Sequence, residues 1–183
     1  MTLENGRPMD ESGREAREIR TYDLLDRLGL SYARVDHAPA ETMEDCVAID
    51  AALGTVMCKN LFLCNRQQTD FYLLMMPGDK PFRTKELSSQ IGTARLSFAS
   101  PEHMVRLLDI YPGAVSVMGL MNDAGREVQL LIDEDLLAAE SIGVHPCVNT
   151  ASLRIRTSDL IEVLLPAVGH APRTVRLTGV ESM

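Results

Sequence analysis

Val56-Met57-Cys58-Lys59-Asn60-Leu61-Phe62-Leu63-Cys64 and Phe71-Tyr72-Leu73-Leu74-Met75-Met76 are two apolar runs separated by the polar stretch Asn65-Arg66-Gln67-Gln68-Thr69-Asp70. Runs of this length, closed by the breaker Pro77-Gly78-Asp79, predict a β-hairpin with a loop of five or six residues. Side chains alternate along a strand, so Lys59, Leu61 and Leu63 share one face and Cys58, Asn60 and Phe62 the other. Both faces are largely apolar, and the strand is expected to be covered on both sides. An ammonium group there must meet a carboxylate, a backbone carbonyl or a ligand anion. The alternative is that strand curvature lets the Lys59 stem carry its head to solvent.

Upstream of the hairpin, Ser12-Gly13-Arg14-Glu15 has the form of a capping box. Ile19, Tyr22, Leu25 and Leu28 then lay one apolar stripe along a helix that Gly29 stops. Ser31 to Asp36 is a strand, His37-Ala38-Pro39-Ala40 a loop, and Thr42 with Asp45 caps a second helix running to Leu53, ended by Gly54. Downstream, Thr84 opens a helix to Ile91, Arg95 to Ala99 is a strand, and Pro101 sits in the first turn of a helix reaching Leu108. Ala114–Met118, Val128–Ile132, Ser141–Val144, Ser152–Ile155 and Val175–Leu177 read as strands, and Ser158 caps a helix to Leu165. Short strands and helices alternate without regular β-α-β units. The expected fold is a single α+β domain with a curved, mostly antiparallel mixed sheet and short helices packed around it. Residues 1–11 and 178–183 are expected to be tails flanking a domain at 12–177.

With 183 residues, 45% hydrophobic and 24% charged, the chain can bury one sizeable core and is not disordered. The net charge of -8 excludes a general nucleic-acid coat, which needs clustered cations, but not a site that grips the end of one RNA. No stretch is apolar enough to span a membrane. The polar, partly acidic N-terminus is not a targeting peptide, which predicts a cytoplasmic protein. The four cysteines, Cys46, Cys58, Cys64 and Cys147, lack CxxC spacing and are expected as free thiols. Lysine occurs only at positions 59, 80 and 85, among 18 basic residues.

Several residues stand out for chemistry. His145-Pro146 follows Gly143-Val144 at a strand end, with Asn149-Thr150 just beyond, a setting for ligand binding or for a structural hydrogen bond. Gly113 to Leu120 is a small apolar strand flanked by glycines, where Gly119 would allow close backbone approach and Ser116 would donate a hydrogen bond; a tight turn within a sheet is the simpler reading. His37 is read as a constraint on its loop. His145 and Cys147 have no second pair to complete a metal site, so no metal and no cofactor are expected. No cysteine has an evident base beside it, and no GxSxG elbow occurs.

In order, His37-Ala38-Pro39 with Thr42 and Glu44, Cys58-Lys59-Asn60-Leu61-Phe62-Leu63, Gly113 through Gly119-Leu120-Met121-Asn122-Asp123, Val128 to Asp133, and His145-Pro146 with Asn149-Thr150 resemble the YbaK/prolyl-tRNA synthetase-associated editing domains. The likeness spans Thr21 to Leu177 and is nearest to the free-standing branch that deacylates alanyl-tRNA(Pro). It implies a YbaK-like fold and a trans-editing hydrolase whose partner is the acceptor end of a mischarged tRNA. A site built for proline rejects the smaller alanine weakly, since missing methylenes are worth only about 1–3 kcal/mol, and a second, smaller site removes the error. The resemblance assigns catalysis to Lys59, Asn60, Gly119 and His145, with Ser116, Met118, Leu120, Asn149 and Thr150 contacting substrate. Proton transfer would use the terminal ribose hydroxyl. Ser116-Val117-Met118-Gly119 departs from the Thr/Ser-Pro-Phe-Gly run of that branch, which alters the expected pocket wall. Two alternatives remain: a deacylase for seryl- or cysteinyl-tRNA, and a non-catalytic module that binds an aminoacyl end. Arg83, Lys85, Arg95 and Arg106 are either acceptor-stem contacts or a solvated surface.

Overall fold

The computed structural model describes residues 1–180. The hairpin forms as the apolar runs predict: β3 (Cys58–Cys64) pairs antiparallel with β4 (Phe71–Pro77), Lys59 opposite Met76 and Leu63 opposite Tyr72. On the far side of β4, β6 (Val128–Asp133) runs parallel to it, and β9 (Arg173–Val175) runs parallel to β6. The two-residue β5 (Ser97–Phe98), all that forms of the strand expected at 95–99, closes the other edge against β3.

This five-stranded sheet is covered on both faces, as its alternation requires. Phe62, Phe71, Leu73, Met75, Leu130 and Ile132 point into the main core. Leu63, Leu74, Met76 and Leu131 point into a second core closed by Leu87 of α3 (Thr84–Ile91).

The remaining strands make a separate antiparallel sheet, ordered β1 (Leu3–Asn5), β2 (Tyr32–Asp36), β8 (Ala151–Arg156) and β7 (Ser141–Val144). The strands thus divide between an antiparallel and a mixed sheet within the expected α+β domain. The two sheets meet at a narrow seam. Met57 forms a parallel bridge with Gly143, whose amide donates to the Val56 carbonyl at 3.2 Å. Only glycine fits there: a Cβ on Gly143 would lie 2.8 Å from Met57 Sδ and 3.1 Å from the Val56 oxygen. A Cβ on Gly78 would lie 2.5 Å from the Met57 oxygen.

The helix α2 (Met43–Leu53) begins with the Thr42–Asp45 capping box and ends at Gly54 in the left-handed region, both as expected. Only Ile49 and Leu53 of this helix are buried. Elsewhere local signals misled. The Ser12 amide is taken by Asp10 in a turn of its own, so α1 (Ala16–Arg27) starts later, behind Glu15 and without a side-chain cap. Residues 1–11 are no tail: β1 adds to β2, and Arg34, 1% exposed, pairs with Glu4 and Asp36, while Arg7 bonds Asp23 and Asp26 at 3.0 Å.

The strand expected at 114–118 is instead a 3-10 helix, Val117–Asn122, beside α4 (Pro101–Leu108). Its apolar residues are buried all round, which suits a short helix as well as a strand. Ser116 decides the matter by capping the Met118 amide at 3.1 Å.

After β6, α5 (Glu134–Leu137) leads to β7. The helix expected to start at Ser158 opens as α6 (Thr157–Asp159), where the Thr157 hydroxyl donates to the Ala139 carbonyl at 2.6 Å. It continues through a π turn, Leu160–Leu164, into α7 (Leu165–Ala167). Beyond β9, which ends two residues before the expected Leu177, Thr178 and Gly179 hydrogen-bond to Glu86. The rest of the expected C-terminal tail, 181–183, lies outside the described residues. No described helix is long and apolar enough to cross a membrane.

Candidate active site

Where the two sheets meet, a cavity of about 410 Å³ opens beneath α2. Its roof is Met43, Cys46, Val47 and Asp50 from that helix, and its wall is Val56 to Lys59 at the start of β3. The turn Gly78-Asp79 closes one side, while His145 and Ser152 come in from the other sheet. The lining is mainly apolar, so its few polar groups are set apart.

Lys59 reaches the cavity half-buried, and its Nζ donates to the Lys80 carbonyl at 2.7 Å. Of the partners open to an ammonium in this strand, it has a neutral one, and among the described residues no carboxylate pairs with it. The accepting loop is firmly held. Lys80 Nζ bonds Asp133 at 2.6 Å, Asp135 at 2.7 Å and the Leu177 carbonyl at 2.7 Å. Asn60, on the opposite face, donates to Cys58 Sγ at 3.1 Å, and its buried Oδ1 has no partner among the described residues. Cys58 lines the cavity as a neutral thiol, since burial pushes its pKa up to about 12. Cys147, away from the cavity, is equally unsuited to be a nucleophile, with burial raising it to about 12.

His145 follows β7, and its Nδ1 sits 2.9 Å from the Ala151 carbonyl, so Nδ1 carries the hydrogen. The neutral ring then keeps its lone pair on Nε2. Burial lowers its pKa, with nearby His37 acting the same way and the Ala151 bond opposing. The Ser116 hydroxyl donates to the His145 carbonyl at 2.5 Å. The Tyr111 hydroxyl donates to Asn149 Oδ1 at 3.0 Å, and the Thr150 carbonyl accepts from the His37 amide at 3.0 Å. These groups brace the loop that presents the imidazole. His37 is fixed as its loop suggested, its Nε2 2.8 Å from the Ser152 hydroxyl.

The matched residues are those that build this site. The Aminoacyl-tRNA editing domain family matches residues 37–163, from His37 past the His145 loop. The chain belongs to that family. It is thereby an aminoacyl-tRNA deacylase, an ester hydrolase. The editing domain is similar to the prolyl-tRNA editing protein ProX of Acetoanaerobium sticklandii, 33% identical over 84% of this chain and 93% of that protein. It also resembles the prolyl-tRNA synthetase associated domain-containing protein 1 of Danio rerio, 28% identical over 82% of each chain. A solved structure of a candidate trans-editing enzyme for prolyl tRNA synthetase shares the fold at a TM-score of 0.65 and 18% identity, covering 90% of this chain and 99% of that one.

The editing domain brings Lys59 and His145 to one cavity, as the sequence suggested, but not the glycine loop. Gly119, Met118 and Leu120 are buried in the main core and line no part of the cavity. A Cβ on Gly119 would meet Ile110 Cδ1 at 2.6 Å and the Leu108 oxygen at 3.0 Å, so this glycine serves helix packing. The residues that replace it as a wall, Met43, Val47, Val56 and Met57 with the carboxyl of Asp50, went unnoticed in the sequence. For Met43 and Val47 the signal was an apolar side chain on α2 outside the turn that docks on the core. Of the four basic candidates, Arg106 pairs with Glu127 at 3.5 Å and lies over the Phe71 ring, while Lys85 and Arg95 are exposed. Among the described residues no cluster of three or more His, Cys, Asp or Glu forms a metal site.

The electrostatics of His145 give a testable pH profile. Because its pKa lies below the ordinary histidine value, the imidazole stays neutral as the pH falls through about 6.5. Deacylation by the editing domain is expected to hold level there and to decline only at lower pH. A pH–rate profile of kcat/KM checks this, and an acid limb at or above about 6.5 would contradict a neutral His145.

Proposed function

We propose that the protein is a cytoplasmic trans-editing enzyme that hydrolyses mischarged alanyl-tRNA(Pro) to alanine and free tRNA. The observation that carries this reading is the convergence of an ammonium, Lys59, and a neutral imidazole, His145, on one mainly apolar cavity. Its volume of about 410 Å³ is at the small end of ligand sites and suits a terminal nucleoside carrying a small amino-acid ester. Walls of Met43, Val47, Val56 and Met57 accept the alanyl methyl group. They would desolvate a seryl hydroxyl without returning a hydrogen bond.

The ester is already activated, so the protein's part is to position it and stabilise charge. Lys59 faces the negative charge that develops on the carbonyl oxygen as water adds. His145 Nε2 accepts from the ribose hydroxyl beside the ester, which orients the aminoacyl end and lets that hydroxyl relay a proton from the water. Asn60 lies outside the cavity lining and takes no direct part in this step. Cleavage returns the bridging oxygen to the ribose as a hydroxyl, its proton supplied by the neighbouring hydroxyl, which takes the water's proton in exchange.

The reading is tested by deacylation of alanyl-tRNA(Pro) beside prolyl-tRNA(Pro), seryl-tRNA and cysteinyl-tRNA at low enzyme concentration. Selective loss of the alanyl ester is expected. Preferential release of serine or cysteine would move the specificity to another mischarged tRNA. Tight binding without release from any ester would make the protein a binding module instead.

A further inference from the structure

An aminoacyl ester differs from other esters of the same size by the ammonium group on its α-carbon. A site that selects such esters needs an acceptor for those N–H donors, and the cavity offers few. Lys59 is donor-only. The Ser152 hydroxyl is engaged with His37, and the Cys58 thiol is neutral. Asp79 sits on an exposed turn. Asp50 is different. It is half-buried in the last turn of α2, the turn that docks through Ile49 and Leu53 and closes with a bond from the Gly54 amide to the Asp50 carbonyl. Its Oδ1 accepts from the Met57 amide at 3.1 Å, while Oδ2 has no partner among the described residues. It therefore faces the cavity as a fixed carboxyl with spare acceptor capacity and, among the described residues, no ion-pair partner.

We propose that the Asp50 carboxylate binds the α-ammonium group of the aminoacyl ester and so restricts the site to esters with a free amine. This rests on the deacylase reading above. Burial raises the Asp50 pKa, and the Met57 amide only partly offsets that. A carboxylate in that condition gains most from an incoming cation. Lys59 and Asp50 then address opposite ends of the ester: the ammonium side chain meets the carbonyl oxygen, and the carboxylate meets the amine.

The test compares alanyl-tRNA(Pro) with its lactyl counterpart, in which a hydroxyl replaces the amine at nearly equal size. The Asp50→Asn variant keeps an acceptor for the Met57 amide and loses the charge. The alanyl-to-lactyl ratio of kcat/KM is expected to fall about 10- to 100-fold from wild type to Asp50→Asn, mainly through KM for the alanyl ester. In wild type, a non-hydrolysable amide analogue of alanyl-adenosine should bind tighter than its lactyl analogue by the same factor, a comparison that needs no variant. An unchanged ratio, equal binding of the two analogues, or collapse of the ratio in Asp79→Asn instead would each overturn the role of Asp50. A wild-type protein that releases neither acid from its ester overturns the deacylase reading, and this proposal with it.

Discussion

Replacing Lys59 with methionine is expected to lower kcat/KM for the aminoacyl ester by about 10²–10³-fold, or roughly 2.7–4 kcal/mol of transition-state stabilisation. The methionine keeps the apolar stem along β3 and removes only the ammonium. The single hydrogen bond it removes from the fold is the one to the Lys80 carbonyl. That loop stays anchored by Lys80 through Asp133, Asp135 and the Leu177 carbonyl, so the melting temperature should remain near that of wild type. Among the described residues no second ammonium lines the cavity, and nearby Lys80 is committed to Asp133 and Asp135. Burial alone would lower the Lys80 pKa, but those carboxylates outweigh it and raise the value, which holds the group charged and in place. Turnover that survives Lys59→Met would remove this residue from the mechanism.

Gly143→Ala is expected to damage stability and activity together. The new Cβ would lie 2.8 Å from Met57 Sδ, 3.0 Å from Met57 Cα and 3.1 Å from the Val56 oxygen. The sulfur can swing aside, but the other two atoms belong to the backbone that joins the sheets. Forcing them apart costs about 1–3 kcal/mol by the usual penalty for overpacking. For a chain of this size that lowers Tm by roughly 2–12 °C. Val56 and Met57 are also cavity wall, and His145 lies two residues beyond Gly143, so kcat/KM should fall by more than the loss of folded protein explains. Thermal melting beside single-turnover deacylation below the melting range separates the two effects. A variant with wild-type Tm would show that the seam is not under tension from both sides.

The contrast between these positions explains what the sequence disclosed. The hairpin of Cys58–Cys64 and Phe71–Pro77 was readable because alternation, length and a polar turn all act within twenty residues. The Thr42–Asp45 cap is equally local. Lys59 was conspicuous because an ammonium in an apolar run needs a partner wherever the strand goes. The parallel pairing of β4 with β6 is settled by packing more than fifty residues apart in sequence, and no turn announces it. Gly119 was misjudged for a related reason. A glycine that admits a ligand and a glycine that admits the α4 backbone look alike until Leu108 and Ile110 are in place. Ser116 was rightly seen as a donor, but its acceptor is the His145 carbonyl rather than a substrate. The cavity roof escaped notice because Met43 and Val47 belong to no core stripe, and side chains with no core partner leave no periodic trace.

That roof separates two kinds of change open to the protein over time. Met43, Cys46 and Val47 project from a helix whose buried side chains are Ile49 and Leu53, both in its last turns. Substitutions at exposed positions such as these usually shift stability by less than about 0.5 kcal/mol. Descendants of this chain can therefore alter which ester fits by changing those three side chains, one mutation at a time, without passing through an unfolded intermediate. The Val56–Met57 seam offers no such freedom, because the same atoms hold the sheets together. Inherited drift in amino-acid preference should accumulate on one wall of the cavity while the other stays constant.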